Sequence, residues 1–135
     1  MRRKTLTLLI AAALAVAPAA AWSQARKAPT FKVTGEVAAD QAGKCAAAAL
    51  LMQSVIKVMA KSAEDQELLV ATQAMVSGWQ VYISGRDPAF ISAAQAAVKR
   101  DTEAYAAGLQ GDDAQATIQA GLAEHTRCLG WMTEG

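Results

Sequence analysis

The stretch Cys45–Met59, CAAAALLMQSVIKVM, decides the fold of this chain together with a second cysteine, Cys128, near the other end. Apolar residues recur in the stretch at steps of three and four, which is the spacing of one face of an α-helix. The stripe begins at the cysteine itself. A first helix is therefore predicted from about residue 37 to residue 61, with Cys45 on its apolar face.

A second helix is predicted after residue 62, where a capping signal precedes another apolar stripe. Ser62 and Asp65 resemble a capping box, in which the two side chains satisfy free amides at the start of a helix. Gly85 suits the C-terminal end of this helix.

Two more helices follow with the same period. Asp87 before Pro88 predicts the start of a third helix, because proline loses no hydrogen bond at the first helical position. This helix ends near Gly108. Asp112 predicts the cap of a fourth helix, whose apolar stripe runs through Met132. In residues 26–36, Phe31 and Val33 could attach the segment to the domain, and no strand signal is found elsewhere, since sustained alternation and hairpin turns are missing there.

The three connections are short, which favours antiparallel neighbours and predicts an all-α, up-down-up-down four-helix bundle. In that topology the start of the first helix lies beside the end of the fourth. Cys45 and Cys128 lie at those two ends, on the apolar stripes, so we predict one disulfide between helix 1 and helix 4. Closing a loop of about 80 residues contributes roughly 4 kcal/mol in the chain-entropy model. The alternatives are two separate thiols and pairing between two chains.

Residues 1–25 are typical of a secretory signal peptide. A basic start is followed by the apolar run Leu6–Val16, which is too short to span a membrane. Small residues offer cleavage after Ala21 or Ala25, and the second leaves the next basic residues outside the apolar segment. An uncleaved anchor is the alternative. Residues 26–36 are predicted to be an extended N-terminal segment, and residues 37–135 to form the bundle domain.

The charge balance is nearly neutral. The whole chain has 13 basic and 12 acidic residues, and removal of residues 1–25 takes away three of the basic ones. The product would have no basic block, which argues against nucleic acid as a partner. No stretch after the signal is judged long and apolar enough to span a membrane, so no stable membrane insertion is expected. With two cysteines behind an export signal, the predicted location is the periplasm or the exterior.

The bundle topology places four aromatic residues in the same half of the molecule as the two cysteines: Trp79, Tyr82, Phe90 and Trp131. One interpretation is that bulky side chains fill the wide end of an alanine-rich bundle. The other is that they form a candidate interaction surface, because aromatic residues are enriched in interface cores.

His125 is the sole histidine and lies on the stripe of the fourth helix. We expect its ring to be packed and hydrogen-bonded within the bundle. The alternative is an axial ligand for non-covalent haem b with a methionine such as Met52 opposite, although the two levels differ by about 6 Å. The architecture resembles exported haem bundles of the cytochrome c′ type. The Cys-x-x-Cys-His attachment motif is missing, however, so covalent haem is excluded, and no cofactor or metal is predicted.

The sequence contains no nucleophile elbow, no glycine-rich phosphate loop and no carboxylate pair on an apolar stripe. We therefore expect a binding protein rather than an enzyme: a periplasmic protein-interaction module such as an inhibitor, immunity-type factor, adaptor or chaperone. The coarse architecture resembles small helical, disulfide-bonded immunity and acid-stress proteins of the bacterial periplasm. This resemblance rests on architecture alone and implies no residue roles.

Overall fold

A computed structural model of the chain describes residues 29–135, so the predicted signal peptide and its cleavage sites lie outside the described residues. Four helices make up most of this part: α1 Ala39–Met59, α2 Ala63–Ser84, α3 Pro88–Gln110 and α4 Ala114–Cys128. They are followed by a 3-10 turn, Leu129–Trp131. Two short strands complete the fold: β1 Phe31–Val33 and β2 Met132–Glu134.

The predicted helix starts are confirmed for α2 and α3. The Ser62 hydroxyl accepts a hydrogen bond from the Asp65 amide at 3.1 Å, and the Asp65 carboxylate accepts one from the Ser62 amide at 3.2 Å. The Asp87 carboxylate accepts from the Phe90 amide at 2.8 Å. Each cap satisfies amides that the helix itself leaves without a partner.

The prediction for α4 is wrong at both ends. Asp113, not Asp112, is the residue before the helix, and its side chain makes no capping hydrogen bond. The helix ends at Cys128, and Met132 belongs to β2. Past the helix end the chain turns, and Trp131 and Met132 pack against the core while Leu129 is exposed.

The absence of strands outside residues 26–36 was predicted wrongly, because Met132–Glu134 forms β2, while β1 lies in the segment predicted to be extended. β1 and β2 pair as an antiparallel sheet, with Phe31 opposite Glu134 and Val33 opposite Met132. This pairing joins the two ends of the described chain, about 100 residues apart, so the local sequence pattern does not show it. Gly78 on α2 has no side chain in the way, and the Phe31 carbonyl oxygen lies 2.8 Å from where a Cβ would be. The sheet therefore rests directly on α2.

α1 is the central helix of the bundle. It packs against α2, α3 and α4, and its most extensive contact is with α3. Gly43 allows this contact: a Cβ there would lie 2.5 Å from the Cβ of Ala97 and still closer to the Ala94 carbonyl oxygen. α2 and α3, by contrast, hardly contact each other. The fold class is confirmed, since four helices form the bundle and a disulfide links α1 to α4.

The core lies around the disulfide and is built from small residues with one large ring among them. Trp79 is the largest fully buried side chain of the described residues, and both cysteines are fully buried beside it. The other buried members of this core are Val37, Ala42, Ala46, Ala49, Val76, Ile83 and Ala94. Most of these side chains bury little area, so the disulfide supplements a thin hydrophobic core.

Within residues 29–135, α1 is the one helix that is long and apolar enough to cross a membrane by length and composition. From the sequence, no stretch after the predicted signal peptide was expected to be long and apolar enough to span a membrane. Half of the most apolar part of α1 is buried inside the bundle. A buried core helix meets the same criteria.

Candidate functional site

The disulfide lies in the core and not in a cleft. Cys45 and Cys128 have Cα atoms 5.6 Å apart, and neither residue is exposed to solvent. The side-chain amide of Gln41 lies 3.3 Å from the Cys45 sulfur and also donates to Glu124 at 3.0 Å. Burial keeps reductants away from the bond, so its role in the folded protein is structural.

The four predicted aromatic residues do come together, and we call them the aromatic cluster: Trp79, Tyr82, Phe90 and Trp131. Their rings make consecutive edge-to-face contacts, with centroids 6.5 Å apart for Trp131 and Trp79, 6.2 Å for Trp79 and Tyr82, and 6.0 Å for Tyr82 and Phe90. Trp79 is 0% exposed. It is therefore not part of an interaction surface, while the other three rings are half-buried.

Trp79 is buried at a cost. Among the described residues, its indole nitrogen has no hydrogen-bond partner. A buried donor without a partner costs about 1–3 kcal/mol. The contacts of its large ring with the disulfide, the small residues and two aromatic rings offset this cost. Trp79 thus belongs to the core around the disulfide.

The polar group of Tyr82 is used by the chain itself. The hydroxyl accepts from the Val37 amide at 3.0 Å and lies 3.3 Å from the Gly35 carbonyl oxygen, to which it can donate. Val37 is buried beneath it. Tyr82 therefore holds the segment that leads into α1, and its hydroxyl is not free to bind a partner.

Arg86 covers the outer side of the aromatic cluster and was not singled out by the sequence analysis. Its guanidinium lies 4.8 Å from the Phe90 ring centre and 5.3 Å from that of Tyr82. It also pairs with Glu36 at 3.2 Å, and this hydrogen bond raises the pKa of Arg86. The signal in the sequence is the spacing, with an arginine four residues from each ring. Arg86 and residues 35–37 thus occupy part of the candidate interaction surface, at Tyr82 and Phe90.

His125 is buried on the inner face of α4, with 8% of its surface exposed. Burial lowers the pKa of its imidazole. The expected hydrogen bond is not present at one nitrogen, since Nδ1 has no partner among the described residues. Residues 29–135 contain no group of three or more potential metal ligands. His125 lines none of three cavities of the described chain, which lie between α2 and α3, between α1, α3 and α4, and between α1 and α3.

The largest of these cavities is an open groove between α2 and α3, with α1 as its floor. It exists because both helices pack on α1 and hardly on each other. Its volume is about 570 Å³. We call it the groove, and it is lined by Ala46, Leu50, Val76, Gln80, Ile83, Ser84, Ile91, Gln95, Val98, Lys99 and Thr102.

The lining of the groove is apolar at the floor and polar at the rim. Ala46, Val76 and Ile83 are buried at the bottom, while Gln80 and Gln95 are exposed at the edges. Lys99 is the one charged residue of this lining as far as residues 29–135 define it. The groove was not predicted from the sequence, since Val76, Ile83, Ile91 and Val98 had been assigned to helix stripes that face a core.

A smaller, charged pocket of about 230 Å³ lies between α1, α3 and α4. Its carboxylates already have partners: Arg127 pairs with Glu124, and Arg100 donates to Asp101 at 3.0 Å. Burial, followed by these two carboxylates, raises the pKa of Tyr105. Because its charges compensate one another, this pocket has less to offer a ligand than the groove. A third cavity, of about 140 Å³, is smaller still.

The groove is therefore the best candidate for a functional site in the described chain. It offers a continuous apolar floor, neutral polar groups and one ammonium group, a set suited to binding an apolar chain. No family model, curated protein or solved structure matches this chain.

Proposed function

We propose that this protein is an exported binding module that holds an apolar ligand in the groove between α2 and α3. The observation that carries the proposal is the gap between these two helices over the apolar residues of α1. Its volume of about 570 Å³ falls within the range of ligand sites, about 300–1,000 Å³. Most such sites combine an apolar lining with a few polar groups, as this groove does.

Export is supported by two features of the chain. Its first 25 residues have the charged start, apolar run and small residues of a signal peptide. The disulfide is compatible with an oxidising compartment such as the periplasm. Cell fractionation followed by mass measurement of the purified product tests this directly. The mass distinguishes cleavage after Ala21 from cleavage after Ala25, and an intact N-terminus in the cytoplasm would contradict export.

A role in binding another protein was predicted from the aromatic cluster. That cluster gives it less support than the groove gives ligand binding, because Trp79 is buried and Arg86 lies over Tyr82 and Phe90. A protein partner stays a prediction.

The proposal is tested by blocking the groove. Gln95 and Ser84 are exposed residues at its two edges, and Ala93 is an exposed residue of α3 outside it. The variants Gln95→Trp and Ser84→Trp place an indole ring across the opening, and Ala93→Trp adds the same ring elsewhere. Binding of the neutral fluorescent probe N-phenyl-1-naphthylamine is then measured, with circular dichroism and melting temperature as checks on the fold.

The wild type should bind the probe saturably at one site. Each blocking variant should weaken binding by about tenfold, the loss expected when roughly two CH₂ groups' worth of apolar contact is displaced. Ala93→Trp should bind like the wild type. Equal binding by all four proteins, or binding that does not saturate, would refute the assignment of the groove.

A further inference from the structure

We infer that the ligand of the groove is a long-chain carboxylate, with its alkyl chain on the apolar floor and its carboxylate at Lys99. This inference rests on the proposed function and adds the chemical class of the ligand. It follows from the shape of the groove and from the distribution of charge around it.

The groove is elongated along α3. Along α3 it extends from Ile91 to Thr102, which is about 16 Å at 1.5 Å per residue. At its floor Ala46, Val76 and Ile83 are only 3%, 6% and 7% exposed. A helix is about 10–12 Å across with its side chains and cannot reach such a floor. A single alkyl chain is thinner than a helix and can lie along this floor. Its extended shape suits the length of the groove along α3.

The charge of the groove selects an anion. Lys99 makes no ion pair with any carboxylate of residues 29–135, and the described lining contains no acidic residue. Glu103, one turn further along α3, is exposed and outside the lining. The groove thus carries a positive charge, whereas the chain after residue 25 has more acidic than basic residues. An anionic head group would thus find its partner here and not elsewhere in the groove.

Gln95 lies one turn before Lys99 on the same side of α3 and also lines the groove. Its side-chain amide can donate a hydrogen bond to a carboxylate that pairs with Lys99. The Thr102 hydroxyl donates to the Val98 carbonyl oxygen at 2.7 Å, so it faces the head group as an acceptor only. Lys99 and Gln95 are therefore the two donors of the head-group end. From Lys99 the alkyl chain extends towards Ile91 and Ile83, along about 12 Å of α3 at 1.5 Å per residue.

The test compares three ligands that share one alkyl chain: dodecanoate, dodecanol and dodecyltrimethylammonium. Each ligand is titrated, below its critical micelle concentration, into the exported protein. Displacement of N-phenyl-1-naphthylamine is measured. Dodecanoate should bind most tightly and the ammonium compound least. Between octanoate and dodecanoate, affinity should rise by about fourfold for each CH₂ group that enters the groove. It should level off once the chain is longer than the groove.

The variant Lys99→Gln should weaken dodecanoate by about two- to fivefold, the range for an exposed ion pair, and leave dodecanol unchanged. Lys99→Glu should reverse the order of the carboxylate and the ammonium compound. Lys57→Gln is the matched control, because Lys57 is an exposed lysine of α1 outside the groove.

The outcomes separate this inference from the proposed function. Equal binding of dodecanoate and dodecanol, with no effect of Lys99→Gln, overturns the carboxylate and leaves a groove for neutral ligands. If the naphthylamine probe binds but none of the dodecyl compounds does, the inference that the groove takes an alkyl chain is overturned. If neither the probe nor any dodecyl compound binds, the proposed function fails as well.

Discussion

Reduction of the Cys45–Cys128 disulfide is the perturbation that tests the fold most directly. The bond joins α1 to α4 across a sequence separation of 83 residues. In the chain-entropy model, a loop of this length lowers the stability of the unfolded state by about 4.5 kcal/mol at 25 °C. Small domains have a free energy of unfolding of about 5–15 kcal/mol. Reduction should therefore remove from a third to nearly all of the stability.

The assay is urea unfolding of the oxidised and the reduced protein, followed by far-UV circular dichroism. Because both cysteines are fully buried, reduction is carried out in urea with dithiothreitol, and the protein is then refolded. For an m value of about 2 kcal/mol per M, the urea midpoint should fall by about 2 M. The m value should also rise, since an uncrosslinked unfolded chain exposes more surface.

The double variant Cys45→Ala/Cys128→Ala is the control. Its midpoint should lie near that of the reduced wild type and should not respond to reductant. A difference of less than about 0.5 M between oxidised and reduced wild type, or about 1 kcal/mol, would refute the loop-entropy reasoning. In that case the packed helices alone would hold the bundle together.

Three other perturbations test single contacts. Gly43→Ala should lower the free energy of unfolding by about 1–3 kcal/mol and the melting temperature by several degrees, because the added Cβ would overlap α3. Gly130→Ala is the control and should be neutral, since no atom lies within 4 Å of its added Cβ. Equal effects of the two substitutions would contradict the close approach of α1 and α3. Tyr82→Phe should raise hydrogen exchange at the Val37 amide by about tenfold, since that amide loses its acceptor; unchanged exchange would argue against this hydrogen bond. Burial lowers the pKa of His125, so the unfolded chain binds its proton more readily than the folded one. The resulting stability is present above pH about 6.5 and decreases as the pH falls below it. His125→Gln should flatten this dependence of the melting temperature between about pH 7 and pH 5, and an unchanged slope would show that other groups cause it.

The features predicted correctly depend on residues that are close in sequence. The Ser62–Asp65 capping box and the Asp87 cap each join residues three positions apart, so the pattern contains both partners. The pairing of Cys45 and Cys128 was also predicted, because each cysteine lies on an apolar stripe near one end of the chain. Short loops then limited the number of ways in which the helices could bring them together.

The features missed depend on contacts between distant parts of the chain. The strand pair has only three residues on each side, and each strand is held in place by the other and by α2. Neither strand has a signal of its own. Arg86 has a local signal, four residues from each ring, but its position over Tyr82 and Phe90 also depends on its ion pair with the distant Glu36.

The candidate site was the least predictable part. Ile91 and Val98 belong to a helical stripe, and such a stripe normally faces a core. Here they are half-buried and line an open groove, because α3 packs mainly on α1 and leaves space beside α2. The aromatic residues had two interpretations, core filling and an interaction surface. The structure buries Trp79 fully and leaves the other three rings half-buried.

The sequence alone determined where α2 and α3 begin, which helix faces are apolar and which two cysteines pair. Each of these follows from local hydrogen bonding, helical spacing or the limited reach of short loops. Only the tertiary structure decided that α1 is the central helix, that β1 and β2 form a sheet and that a groove stays open between α2 and α3. Gly43, Gly78 and the alanines of α1 set how closely backbones approach, and that approach depends on the residues they meet across the bundle.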